Sequence, residues 1–213
     1  MKILPEEQYK FIHLILPNGS KAEGNAVLLH ACCAPCSAAI VECMLRNGMK
    51  PTVYFSNSNI FPAKEYNIRK QELIRFLKVQ DVPFVEDNYD HQEWREYIKG
   101  LENEPERGSR CSACFQYRLK HAAKYAQKHG FKLLTTTLAS SRWKNINQIN
   151  AAGHLAVQNT PDVEWWDQNW RKGGLQNRRG ELLRINQFYN QLYCGCEFSL
   201  ASSTAVARNA SDN

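Results

Sequence analysis

No apolar run in this sequence approaches the roughly 20 residues that a membrane-spanning helix requires. The longest near the start, Phe11 to Leu16, is broken by His13 and followed by Pro17 and Asn18. It is too short for a signal-peptide core and no small-residue cleavage pattern follows it. A cytoplasmic protein with no membrane partner is therefore expected. Internal repeats are absent, which sets aside solenoid folds. Also missing is a Gly/Ser-rich phosphate loop after the first strand, as nucleotide-activating enzymes need. Cys32-Cys33-Ala34-Pro35 stands there instead, so a tRNA sulfur-transfer or nucleotide-activating enzyme is the least favoured enzyme reading. Acidic residues are scarce in the second half: residues 111–213 hold 6 against 13 basic ones, whereas residues 1–110 hold 15 against 14.

What is present is ordinary in bulk and unusual in detail. The 213 residues, 43% hydrophobic and 23% charged, fit one folded domain and exclude wholesale disorder. Eight cysteines are many for a reducing compartment, where clustered thiols point to a metal or to redox chemistry rather than to structural disulfides. The basic second half calls for an anionic partner, of which a nucleic acid is the simplest; a merely solvated basic surface is the bland alternative.

The periodicity alternates between strand and helix. Strands are expected over Ala26 to His30, Pro51 to Phe55, Val82 to Glu86 and Lys132 to Leu138. Helices are expected from Ser37 to Asn47, from Ala63 to Gln80, over a segment ending at Gly130, and from about Glu181 to Leu192. The second of these carries a Glu65–Arg69 pair at i,i+4 spacing, and the last shows Leu182, Ile185, Tyr189 and Leu192 at helical spacing. Alternation of this kind implies an α/β fold with a parallel sheet covered by helices on both faces. Residues 1–25 read as a polar leader, 26–200 as one domain, and 201–213 as a frayed tail. Ligands of such sheets bind beyond the carboxyl ends of the strands, so Ala31–Ser37, Ser56–Pro62 and Ala139–Asn145 should converge.

Three cysteine motifs carry the chemistry. His30-Ala-Cys-Cys-Ala-Pro-Cys36 lies at a strand end before a helix, whose N-terminal amides favour thiolates. Cys111-Ser-Ala-Cys114 places two sulfurs one helical turn apart. With Cys32 and Cys33 these give four thiolates, the complement of a [4Fe–4S] cluster or of a tetrahedral zinc site. A Cys-Cys pair is no zinc knuckle, and Cys36 adds a surplus thiol, which favours iron–sulfur. Cys43, inside the following helix, reads as an inert core residue. Cys194-Gly-Cys196 brings two sulfurs close, to cycle between dithiol and disulfide or to ligate a metal.

The polar motifs are weaker. Asn57 and Asn59 follow a strand and offer amides to a base or sugar edge, or form a plain asparagine turn. Lys144 and Asn145 open a helix where a phosphate or nucleotide could sit. Arg171 and Lys172, with Arg178-Arg179, lie near Trp165, Trp166 and Trp170, a mixture suited to looped RNA with splayed bases; tryptophans as core anchors are the alternative. His30, Tyr193 and Lys144 are candidate proton donors.

Taken together, Leu29-His-Ala-Cys-Cys-Ala-Pro-Cys-Ser37, Phe55-Ser-Asn-Ser-Asn-Ile60 with Pro62 and Glu65-Tyr66, Gly100 to Cys111, Thr136-Thr-Leu138 with Lys144-Asn145, and Tyr193-Cys-Gly-Cys-Glu-Phe-Ser199 resemble the cobalamin-independent epoxyqueuosine reductases of the QueH type. The match spans about residues 26–200. The resemblance implies a HUP-like α/β fold with a helical, cysteine-bearing C-terminal segment. It implies reduction of epoxyqueuosine to queuosine at the wobble position of the tRNA anticodon, the last step of queuosine biosynthesis. It further implies a [4Fe–4S] cluster on Cys32, Cys33, Cys111 and Cys114, a redox-active pair at Cys194 and Cys196, and a separate electron donor that the sequence does not identify. Three positions depart from the family pattern. Ser58 and Arg142 stand where prolines are common, and Cys36 stands where some members have Asp, making it the candidate ligand of a second iron. A zinc-stabilised RNA-binding module without catalysis is the competing reading from another class.

Overall fold

The computed structural model of the chain describes residues 12–202. Residues 1–11 of the expected leader and 203–213 of the expected tail lie outside the described residues. Five parallel strands form one sheet in the order β3-β2-β1-β4-β5: β1 Ala26–His30, β2 Lys50–Phe55, β3 Phe84–Glu86, β4 Leu133–Thr136 and β5 Glu164–Trp165. β1 pairs with β2 from Ala26↔Lys50 to His30↔Tyr54 and with β4 from Leu28↔Leu134 to His30↔Thr136. β1 is therefore central, and Val27, Leu28 and Leu29 are wholly buried. A strand covered on both faces has no wet side, so its apolar run is continuous rather than alternating.

Helices connect and cover the sheet: α1 Ala34–Arg46, α2 Ala63–Val79, α3 His91–Tyr97, α4 Ser109–Lys128, α5 Ile146–Val157 and α6 Leu175–Ile185, with a short 3-10 turn Thr137–Ser140 after β4 and helical residues 197–202 at the end of the described chain. α1 starts three residues earlier than its apolar pattern suggests, because Pro35 sits in its first turn, where a missing N–H costs nothing. Strand order places the crossover between β3 and β4 on the far side of β1, so the chain reverses direction of travel across the sheet beside β1. That is the switch point where open α/β sheets bind ligands.

The last helix departs from expectation. It covers Leu175–Ile185 rather than 181–192, starting at Gly174 with φ +81 and ending at Asn186, followed by Gln187 at φ +50. Of the four residues that suggested its face, only Leu182 is buried; Ile185, Tyr189 and Leu192 are exposed. What fixes α6 instead is Arg178, whose guanidinium donates to both carboxylate oxygens of Glu42 on α1 at 2.8 and 3.0 Å. Sequence periodicity also passes over the short α3 and the two-residue β5. Leu14, Leu16 and Ala22, before β1, are buried against the same core, and Leu14 N donates to Asn47 Oδ1. No helix among the described residues is long and apolar enough to cross a membrane.

Candidate metal centre and active site

The carboxyl ends of β1, β2 and β4 are tied together by His30. Its Nε2 lies 3.1 Å from the carbonyl oxygen of Ser56, after β2, and its Nδ1 lies 2.7 Å from Thr136 Oγ1, in β4. A carbonyl only accepts, so Nε2 carries the hydrogen and Nδ1 accepts from the threonine hydroxyl. Burial, and then the nearby Arg118, lower the imidazole pKa to about 3. His30 is a neutral strut, not a proton donor.

Directly after this strut the chain turns through Cys32 and Cys33 into α1. Cys33 is the residue capping α1, and its side chain makes no capping hydrogen bond to the first turn. The Sγ atoms of Cys32, Cys33 and Cys36 all lie within 4.8 Å of one another, the one such group of three or more potential ligands among the described residues. Cys32 and Cys33 sulfurs are 3.7 Å apart. Thr137 Oγ1 receives the Cys32 N–H and donates to its sulfur at 3.5 Å. Hydrogen bonds from the Cys33 and Cys36 thiols hold the Cys32 pKa well below the ordinary value, aided by Lys144 and Arg118, while burial raises Cys33. Three soft sulfurs at such spacing suit a metal, and the chemistry of the donor set selects iron–sulfur or zinc over hard cations. Cys43 is buried in α1 away from this group, its pKa pushed up to about 12 by burial.

Cys111 and Cys114 project from the first turns of α4 and do not join the three-sulfur group. They share an electrostatic neighbourhood with Cys194 and Cys196 instead. Cys114 is pushed up to about 12 by burial and then by Cys196, Cys194 and Cys111 acting against Arg118. Burial raises Cys111 and Cys196, with Cys194 adding to both. The two groups open on one cavity of about 710 Å³, whose walls include Cys32, Cys36, Cys111, Cys194 and Cys196. Three cysteine motifs far apart in sequence thus meet at the carboxyl ends of the strands.

The Cys194–Cys196 segment is held from below by α2. Arg69, 3% exposed, donates from Nη1 to the carbonyl of Cys194 at 3.1 Å and from Nη2 to that of Tyr193 at 3.2 Å. Its other face meets Glu65, which also accepts from Tyr189 Oη. Phe61 N donates to Gly195 O, and Tyr193 Oη donates to Phe61 O. Gly195 has φ +136, and a Cβ there would lie 3.2 Å from Arg69 Nη1 and Ile60 Cγ1. Glycine is required both for the turn and for this approach. The i,i+4 spacing of Glu65 and Arg69 signals only a helix pair; its second function depends on residues more than 120 positions away.

The residues expected to contact substrate divide. Lys144 and Asn145 line the cavity. Burial opposes the Lys144 charge, but Cys194, Cys32 and Cys36 outweigh it and raise its pKa, so the ammonium stays protonated. Asn57 and Asn59 are buried and do not line the cavity. Asn57 joins β1 to α4: Nδ2 donates to Ala31 O at 2.8 Å, and Oδ1 accepts from Arg118. Arg171 Nη2 donates to Lys144 O at 2.7 Å, and Lys172 is exposed nearby. Trp165, Trp166 and Trp170 are all buried, so the aromatic residues near this basic stretch are core anchors rather than base-stacking surfaces. Arg69, Arg107 and Arg118 carry no local sign of a site role, since an isolated arginine gives none, whereas Arg179 of the basic stretch lines the cavity. Burial and a raised pKa of about 12 make Tyr193 a weak acid as well.

A family model described as epoxyqueuosine reductase QueH matches residues 27–202. Proteins named epoxyqueuosine reductase QueH from Haemophilus influenzae (49% identical over 204 residues, 95% of this chain and 82% of that protein), Acinetobacter baylyi (47%, 89% and 85%) and Thermotoga maritima (30%, 83% and 91%) are similar along most of the chain. Among solved structures, a U34-tRNA thiolase, NcsA from Methanococcus maripaludis with its [4Fe–4S] cluster, superposes with a TM-score of 0.50 at 11% identity. It covers 90% of this chain and 67% of its own, a likeness of fold alone.

Proposed function

Since the chain belongs to the epoxyqueuosine reductase QueH family, we propose that its cysteine-lined cavity reduces epoxyqueuosine to queuosine within the anticodon loop of tRNA, at the wobble nucleotide. The observation that carries this reading is the meeting of three cysteine motifs on one cavity. The zinc module leaves Cys36 and the Cys194-Gly-Cys196 segment without a purpose, and neither it nor the sulfur-transfer reading is favoured by the family.

Cys32, Cys33, Cys111 and Cys114 would hold a [4Fe–4S] cluster, and Cys36 a second iron; the all-sulfur donor set supports a soft metal here, while the closest grouping of sulfurs joins Cys36, rather than Cys111 and Cys114, to Cys32 and Cys33. When bound, such a cluster supplies electrons one at a time. The protein's own residues supply the rest. Converting an epoxide to an alkene releases one oxygen as water and consumes two electrons and two protons. Oxidation of the Cys194 and Cys196 thiols to a disulfide delivers both pairs: two S–H bonds and two C–O bonds break, while one S–S bond, one C=C bond and water form. A separate electron donor then returns the disulfide to the dithiol. Lys144, held protonated among Cys194, Cys32 and Cys36, places a fixed positive charge in the cavity that orients the departing oxygen. Arg69 fixes the backbone on which the dithiol sits.

Anaerobically reconstituted protein, given tRNA carrying the epoxide, is expected to yield a product nucleoside lighter by one oxygen. Cys194→Ser should keep the visible absorbance of the cluster and lose turnover. Loss of iron in that variant would make Cys194 a ligand and remove the dithiol role.

A further inference from the structure

The two most exposed large hydrophobic side chains among the described residues are Trp143, 80% exposed, and Leu192, 85% exposed. Both line the cysteine cavity, Trp143 from the loop between β4 and α5 and Leu192 from the segment leading to Cys194. Exposed apolar residues scattered singly need no explanation, but two that face one cavity do. The loop bearing Trp143 is not loose. Arg107 Nε donates to the Trp143 carbonyl at 2.8 Å, Arg171 donates to that of Lys144, and Asn145 caps α5 through Asn147 N. No aromatic or cation–π contact among the described residues involves the indole ring. Two guanidiniums thus hold the loop's backbone while its largest side chain stands in solvent. Arg107 and Arg179 also line the cavity, and Arg142 is exposed beside Trp143; Glu106 is the acidic group among the lining residues. A cationic rim with a flat aromatic surface is the chemistry that receives an unpaired nucleotide strand, with phosphates on the arginines and a base face on the ring.

We propose that Trp143 stacks on the base adjoining the epoxyqueuosine nucleotide, with Leu192 against the neighbour on the other side, so that the two hold the modified nucleotide splayed into the cavity. The inference rests on the substrate reading given above and adds the residues that engage the flanking RNA.

The test is binding of a fluorescein-labelled, unmodified anticodon stem-loop RNA to the anaerobic holoenzyme, read by anisotropy. Trp143→Ala should weaken binding about tenfold or more, Trp143→Phe should stay within about threefold, and Leu192→Ser should fall between them. Trp94, Trp165, Trp166 and Trp170 are buried, so acrylamide quenching reports on Trp143, and the RNA should protect it. Trp143→Ala binding as tightly as the native protein would overturn the proposal, as would Trp143→Phe failing as badly as Trp143→Ala. Unchanged RNA affinity with slower electron delivery from an acidic donor protein would assign the rim to that donor and equally overturn it. Because the probe carries no epoxide, the result does not depend on turnover. A native enzyme that reduces the epoxide while Trp143→Ala binds RNA normally removes the rim and leaves the reductase reading standing.

Discussion

Arg69 Nη1 reaches the carbonyl oxygen of Cys194 at 3.1 Å, across 125 residues of sequence. The relationship makes a buried arginine on α2 the support of the Cys194–Cys196 backbone. Because lysine lacks the planar fork that spans two carbonyls, Arg69→Lys is expected to lower turnover by at least about tenfold while iron content stays at the native level. Equal loss of iron and turnover would show a general collapse of the site instead.

Gly195→Ala tests the same clamp from the other side. With φ +136 the backbone is strained for alanine, and Arg69 Nη1 and Ile60 Cγ1, each 3.2 Å from the new Cβ, must give by a few tenths of an ångström, costing about 1–3 kcal/mol. Turnover should fall more than thermal stability does, as measured by kinetics and calorimetry on the same preparation.

The Glu42–Arg178 pair is buried on both sides. Arg178→Met removes two charge-assisted hydrogen bonds to Glu42 and leaves that buried carboxylate with Arg46 at 3.1 Å, so it should destabilise the fold by up to about 3–5 kcal/mol. Replacing both residues with apolar ones should recover much of that loss in denaturant titrations.

His30 sets part of the acid limit. Its folded pKa of about 3 lies below the ordinary 6.5, so between those values the unfolded chain binds a proton that the folded chain refuses. Stability therefore falls as pH drops through that window, by at most about 1.4 kcal/mol per pH unit from this residue. Asp87, lowered by His121 and Ser56 against the effect of burial, acts in the same direction at the lower end. His30→Gln, which can bridge the same partners without titrating, should flatten the slope of stability against pH between 4 and 6.

How much of this was legible in the sequence depends on whether the cause was local. β1, β2, α2 and β4 announce themselves because burial on both faces, or on one helical stripe, imposes a pattern within a few residues. The cysteine motifs announce themselves by chemistry. The limits of α6 do not, because a left-handed Gly174 and a partner 136 residues away on α1 decide them. The same holds for Asn57, whose amide looks available for a ligand but is consumed by Ala31 and Arg118, and for the buried tryptophans 165, 166 and 170. Trp143, in a motif read for its lysine and asparagine, shows its exposure only once the cavity is assembled.

Alkylation mass analysis after a single turnover tests the central claim most directly. Fully reduced protein, given one equivalent of epoxide-bearing tRNA and no further donor, should form one queuosine per chain, with Cys194 and Cys196 protected from alkylation as a disulfide. Product formed while both thiols remain free to alkylate would contradict the account.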